Sequence, residues 1–300
     1  MCIILGHNNH PINTKLYTFP ILIQNTKANL LLYKNDFILD SGKDNIMIVV
    51  VPTDKPIGLV KLQDKENCPA NILTKMCDIV GDKIIKYDSN NNQTKSISKN
   101  FAEINIVGDY AISVVYSIDD LINKIDWESF ERPDDLEQRI NTINDKKLFP
   151  FDNKAIIICK AIKIIKNSGF GCVYFSDKII HPTCHQNTNT KNKNYKYDVI
   201  IYNMHKNKPN EYIDFIMDGD LQYNNDKTIK NMCKNIGKRF IGKFVESNIK
   251  KINEIINNID VIDSLNGNIY KNHLSLSNKY SYISVFPIYN VYGINQNIYE

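Results

Sequence analysis

Short apolar runs rich in isoleucine, each closed by Asn, Asp, Gly or Pro, recur along this chain and constrain its fold more than any motif does. Ile accounts for 48 of the 300 residues, with 17 Tyr and 12 Phe beside it. β-Branched and aromatic side chains pack well on a pleated surface, so the chain favours strands over long helical bundles. Runs of this kind lie at 1–5, 16–23, 29–33, 45–51, 83–87, 103–107 and 111–116. Their lengths and polar breaks predict an antiparallel sheet in the first half.

Helical spacing enters later. It is seen at 117–125, and again where Leu136, Ile140 and Ile143 stand at i, i+4 and i+7 behind Pro133, Asp134 and Asp135, residues suited to a first turn. The run 149–152 (FPFD) reads as a joint between halves. Beyond it, 156–165 fits either periodicity, while 171–176, 197–203 and the tail at 280–292 read as strands. A stripe of Ile229, Cys233, Ile236, Phe240 and Phe244, continued by Ile249, Ile252, Ile256 and Ile259, predicts helix over 227–259. Gly237 and Gly242 make that either two helices or one kinked helix. The expectation is an α+β protein: 1–150 β-rich with helices near 117–145, and 151–300 mixed with a long or kinked helix near 227–259, as two units or a single domain.

Composition narrows function. Net charge is +4, too small for a nucleic-acid coat. Seven Cys without a repeating spacing read as reduced thiols of an intracellular protein. The opening apolar run is too short for a secretory signal, and the longer ones are too short or interrupted by Lys to span a bilayer. A soluble protein is expected. No Walker A loop, nucleophile elbow, His-Glu-x-x-His or dinucleotide fingerprint occurs.

Four groups of residues could carry chemistry. Cys2 would become an N-terminal thiol if Met1 were removed, with its own amine as base, the logic of amidohydrolases of the N-terminal nucleophile type. The short Arg and Asp motif that should follow in such enzymes is missing. His181, Cys184 and His185, completed by His205 at the end of the 197–203 strand or by Cys172, could hold zinc and stabilise an interaction module, although no paired Cys-x2-Cys is present. The carboxylates of 214–220 begin like a calcium loop, but Tyr223 and Ile229 stand where Gly and Glu are needed, so a capping turn fits better. Lys230, Lys234 and Lys238 share a helical face with Lys227 and could follow nucleic-acid phosphates. A solvated face is the competing reading, and only three Arg are available for bidentate contacts.

The bias itself points to a source. Asn (41), Ile (48) and Lys (34) share A/T-rich codons, and this usage resembles that of giant DNA viruses of the mimivirus type. Pieces of the chain are also similar to an uncharacterised family that begins Met-Cys. They are Met1-Cys2 leading to Leu5-Gly6, Asn45-Ile46-Met47-Ile48 before Val51-Pro52, Val173-Tyr174-Phe175 with His181 and His185, and the run from Tyr197 to Tyr202 (YDVIIY). The resemblance implies a viral protein of the host cytoplasm or the virion with no assigned activity. Protein partners fit it, and it draws attention to Cys2, His181, His185 and Asp198.

Overall fold

In the computed structural model the described residues are 2–5, 10–38, 46–60, 101–107, 110–146, 149–161, 165–181, 185–186, 197–205, 207, 240–243, 246–267, 269–270, 274–276, 282–291 and 298–299. The first strands are β1 (Cys2–Leu5), β2 (His10–Ile23), β3 (Thr26–Ile38), β4 (Ile46–Pro52), β5 (Gly58–Val60), β6 (Asn105–Val107) and β7 (Tyr110–Val115). Three helices follow, α1 (Ile118–Asn123), α2 (Trp127–Phe130) and α3 (Leu136–Asn144). Next come β8 (Lys154–Ala161), β9 (Ile165–Tyr174), β10 (Ile180–His181), β11 (His185–Gln186), β12 (Tyr197–His205) and β13 (Phe240–Lys243). Helix α4 (Glu246–Asn257) precedes β14 (Val261–Asp263), β15 (Ile269–Tyr270), β16 (Leu274–Leu276), β17 (Tyr282–Val291) and β18 (Ile298–Tyr299).

Two large sheets and a two-stranded ladder of β10 with β18 organise these strands. The six-stranded sheet runs β11-β1-β4-β8-β7-β6, and the ten-stranded sheet runs β13-β17-β12-β2-β3-β9-β5-β14-β15 with β16 also on β2. Pairing is antiparallel apart from β1 with β11 and β12 with β2, which run parallel. Both sheets take strands from either side of the 149–152 joint, so 1–150 and 151–300 do not build separate sheets. The class is α+β, rich in antiparallel strands, as the punctuation predicts.

Ladder parity shows how the layers stack. Along the ten-stranded sheet, Leu16, Leu31, Tyr33, Leu59, Phe170, Cys172 and Tyr174 enter one core. Their neighbours Tyr17, Phe19, Leu30, Leu32, Val60 and Val173 enter a second, shared with Ile252 and Ile256 of α4. Alternate residues of a strand point to opposite faces, so this sheet is buried on both. In the six-stranded sheet, Tyr110 meets Phe170 edge-on with ring centroids 6.3 Å apart, which turns the Tyr110, Ile112 and Val114 row toward the other sheet. The opposite row carries Lys160, whose Nζ donates to the Ser129 carbonyl at 2.8 Å and pairs with Glu131 at 2.7 Å. Helices α1–α3 therefore cover the outer face of this sheet. From outside to outside the order is helices α1–α3, six-stranded sheet, ten-stranded sheet, helix α4.

Two-sided burial explains the unbroken apolar strands. Every residue of β4 (IMIVVVP) is buried, and Ala155 to Cys159 of β8 are fully so. Each fully buried Ile or Val contributes about 2 kcal/mol of transfer free energy, which makes this central pair the anchor of the core. The 156–165 run resolves as strand to Ala161 because its residues pair with β4 on one edge and β7 on the other.

The helix expected over 227–259 is corrected. Phe240–Lys243 forms β13, paired antiparallel with β17, and the helix of this region spans Glu246–Asn257. Residues 227–239 lie outside the described residues. Gly242 is a poor helix former, and the ladder with β17 supplies Phe240 and Ile241 with partners that override the i, i+4 stripe. Beyond β13 the stripe holds: Ile252, Ile256 and Ile259 are buried under α4 and its exit.

Local chemistry pins the layers. Gln24 and Asn25, both at positive φ, make the two-residue hairpin turn between β2 and β3 that suits strand twist. The Thr53 hydroxyl donates to the Lys55 carbonyl at 2.6 Å and accepts the Phe175 N–H at 3.1 Å, and Asp54 N–H donates to the Phe175 carbonyl at 2.8 Å. These bonds clip the end of β4 to the end of β9, one strand from each sheet. On α3, buried Arg139 donates through Nε and Nη2 to Asp135 Oδ2 at 3.1 and 2.9 Å, an i,i+4 pair that neutralises the buried guanidinium within the helix's own first turn.

Candidate functional site

The best-defined surface feature is built where the six-stranded sheet ends. Strand β6 is its terminal strand, and among the described residues its ladder partner is β7 alone. The chain enters β6 through residues 101–104, held by two contacts. Ser113 Oγ donates to the Glu103 carbonyl at 3.0 Å, and Ala102 N–H donates to the Lys124 carbonyl at 2.8 Å at the end of α1. The second bond brings Phe101 beside α1, whose Ile122 lies two residues before Lys124. Phe101 is 44% exposed and Ile122 37%. Single exposed apolar residues are ordinary; these two stand on segments joined by that hydrogen bond, at the end of a sheet where β6 has no second ladder partner among the described residues.

The frame under these two residues is rigid. Ser117 caps α1 by accepting the Asp120 N–H at 3.0 Å, and Leu121 of the same helix is fully buried. Trp127 Nε1 donates to the Leu121 carbonyl at 3.1 Å and ties α2 to α1, while Asp126 caps α2 through the Ser129 N–H. The sequence of this stretch is acidic. From 101 to 131 the sequence has seven carboxylates and one basic residue, Lys124, in a chain whose net charge is +4. Lys124 pairs with Asp120 at 2.9 Å, and Glu131 with Lys160. Glu103, Asp119 and Glu128 are exposed, and no salt bridge to them occurs among the described residues. This end of the six-stranded sheet thus offers exposed apolar side chains and exposed carboxylates.

Three inner titratable groups are held by burial or hydrogen bonds. Burial pushes the Cys172 thiol up to about 12, leaving it protonated at neutral pH. Burial also raises Tyr174, whose hydroxyl accepts the Ile180 N–H at 3.0 Å. Tyr116 is raised by burial too, and accepts the Ile57 N–H at 2.9 Å.

The residues singled out in sequence are distributed as follows. Cys2 opens β1, opposite Val49 of β4 and directly paired with His185 of β11. That brings the candidate nucleophile and one candidate zinc ligand to adjacent ladder positions. His181 pairs with Ile298 in the separate β10–β18 ladder, and His205 ends β12 opposite Tyr282 in the ten-stranded sheet. Cys184, the 214–220 carboxylates and Lys230, Lys234 and Lys238 lie outside the described residues. Among the described residues no group of three His, Cys, Asp or Glu is placed to hold a metal ion. No helix there is long and apolar enough to cross a membrane, which leaves strand-spanning proteins unaddressed. Phe101 and Ile122 escaped sequence reasoning because 21 residues separate them and each sits in a segment whose other apolar residues are core.

The fold defines a class, a layered α+β protein with two large sheets between helical layers. No protein-family model matches the chain, and no curated protein does. Among solved structures it is similar to baculovirus P35, at 12% identity and a TM-score of 0.47, over 97% of this chain and 96% of that one. It is also similar to P35 in its complex with caspase-8, at 14% identity and a TM-score of 0.42, over 95% and 94%. A mutated P35 after caspase cleavage gives 12% identity and a TM-score of 0.43, over 95% and 98%.

Proposed function

We propose that this chain is a viral protein that works by binding other proteins, with the ground around Phe101 and Ile122 as its contact surface. The viral part rests on the A/T-driven residue usage and the family resemblance. The binding part is supported by one observation: Phe101 and Ile122 are large apolar side chains exposed at the β6 end of the six-stranded sheet, where among the described residues β6 has β7 as its ladder partner. Surface aromatics with little rotamer freedom are favoured anchors of protein interfaces.

The test is photo-crosslinking from a benzophenone side chain placed at position 101 in the full chain, in an extract of cells that support the virus. Purified caspase-8 is included as a defined candidate because it is the partner named in one of the compared structures. A discrete adduct, competed by unlabelled chain but not by the F101S/I122S variant, supports the reading. A smear or no adduct in any extract ends it.

A second reading has its own observation, the direct ladder pairing of Cys2 with His185. An imidazolium beside a thiol lowers the thiol pKa and raises thiolate reactivity near neutral pH. The check is the rate of Cys2 alkylation by iodoacetamide against pH in the wild type and in His185→Asn. Superimposable profiles would remove the pairing from any chemistry.

A further inference from the structure

We propose that Asn266 is a site of spontaneous covalent modification, a deamidation through Gly267 that the Asp263 side chain holds back in the folded protein. This goes beyond the protein-binding reading and does not rest on it. Of the 41 Asn in the chain, Asn266 alone is followed by Gly. The main-chain nitrogen after an Asn can attack that residue's side-chain amide, and a side chain on the following residue obstructs the approach. Gly267 carries none, and nothing lies within 4 Å of the place a Cβ would take. Both residues are exposed in the turn between β14 and β15, so water reaches them.

The step needs water and no other co-reactant. The Gly267 nitrogen loses its proton to solvent and bonds to Asn266 Cγ. The Cγ–Nδ2 bond breaks, and Nδ2 leaves as ammonia with a proton from solvent. Water then opens the cyclic imide at either carbonyl carbon, giving aspartate or isoaspartate at position 266. Nothing is oxidised or reduced.

The turn holds both reacting groups. Gly267 N–H donates to the Asp263 carbonyl at 2.9 Å, which occupies the nucleophile. Asn266 donates through Nδ2 to Asp263 Oδ2 and through its N–H to Oδ1, both at 3.2 Å, and Leu265 N–H joins Oδ1 at 2.8 Å. Asp263 is itself buried, and stands opposite Gly58 in the β5–β14 ladder. Reaction therefore waits on local opening of the turn, and its rate reports that opening. The product works against the turn that formed it. An aspartate at 266 offers an acceptor where Asp263 Oδ2 needs a donor. An isoaspartate puts an extra carbon into the main chain of a short turn. Ser264, bonded to Ile57 and Tyr116 beside it, is loosened with the rest.

The experiment incubates the full chain at neutral pH, in native buffer and in guanidinium chloride. Peptide mapping by mass spectrometry follows the amide-to-acid exchange at 266, and an isoaspartyl methyltransferase counts the isoaspartate. Conversion should run about tenfold or more faster in denaturant, since the hydrogen bonds of the turn together are worth at least that factor. D263A keeps the backbone acceptor and removes both carboxylate oxygens, and should speed conversion several-fold in native buffer. N266Q should abolish it at this position. N266D should lower the urea midpoint, and by less in the D263A background.

No conversion at 266 in denaturant overturns the site. Equal rates in the two buffers overturn the restraint by the fold. A D263A variant that unfolds at the wild-type temperature yet converts no faster overturns the role of that side chain. Should D263A fail to fold, the comparison of native with denatured wild type decides alone. N266D as stable as the wild type overturns the effect of the product on the turn.

Discussion

The hydroxyls of Tyr116 and Ser264 lie 2.6 Å apart, joining residues 148 positions distant in the chain. Tyr116 follows β7 of the six-stranded sheet, and Ser264 follows β14 of the ten-stranded one. The same tyrosine oxygen accepts the N–H of Ile57, whose side chain is fully buried. A single phenol thus links the two sheets at one end, as the Thr53 clip does between β4 and β9. Tyr116→Phe should cost about 1–3 kcal/mol, because it strands a backbone donor as well as removing a hydrogen bond. Urea unfolding measures this, and a loss well below that range would show that the N–H finds another acceptor.

Gly58 shows how tightly β5 is fitted. A Cβ there would stand 2.1 Å from Val261 Cγ1 across the β5–β14 ladder. Gly58→Ala should therefore destabilise by about 1–3 kcal/mol through overpacking. The diagnostic is the double variant: G58A should cost much less in the V261A background than in the wild type, a coupling that a backbone effect of alanine would not show.

Thr18 sits with zero exposure on the inner face of β2, and its hydroxyl has no partner among the described residues. Valine has nearly the same shape without the polar atom. Thr18→Val should raise stability by about 1 kcal/mol, since replacing an unpaired buried hydroxyl removes a desolvation cost. The urea midpoint reads it; a lower midpoint would mean that the hydroxyl has a partner in solution.

Alkaline pH should loosen the fold through Cys172. Its pKa is raised by burial from 9.0 to about 12, so the folded state keeps a proton that the unfolded chain releases. With the folded pKa above the unfolded one, this contribution is fully present below pH 9 and is lost as pH rises toward about 12. The slope is at most about 1.4 kcal/mol per pH unit for one proton. Tyr116 and Tyr174, both raised by burial, add to the loss above pH 10. Unfolding titrations at several pH values should show a flatter profile for Cys172→Ala between pH 9 and 10. An identical slope would place that thiol in contact with solvent.

Much of the strand content was legible because its signal is local. The runs at β3, β4, β7, β12 and β17 announce themselves by β-branched and aromatic residues between polar breaks. Which faces are buried was not, since IMIVVVP reads the same whether one face is covered or both; only the partners across each layer decide it. The 227–259 helix failed where Phe240 and Ile241 found strand partners more than forty residues away in β17. The site followed the same rule. Cys2 was singled out for its chemistry, but its neighbour His185 is set by a parallel pairing with no local sequence mark, and Phe101 meets α1 through one backbone hydrogen bond.

The parallel pairing of β2 with β12 also bears on how the protein comes into being. β2 pairs with β3 along one edge and takes Val199 to Tyr202 of β12 against Thr14 to Tyr17 on the other, while β12 in turn pairs with β17. Such distant closures are slow, and a nascent chain must leave those edges open until they form. At the ribosome, the first strands made are among the last to be enclosed. One edge of β2 therefore stays unfilled until β12 has been made, and β12 until β17 has, so a chain ending before residue 282 would leave that side of the ten-stranded sheet without its β17 pairing.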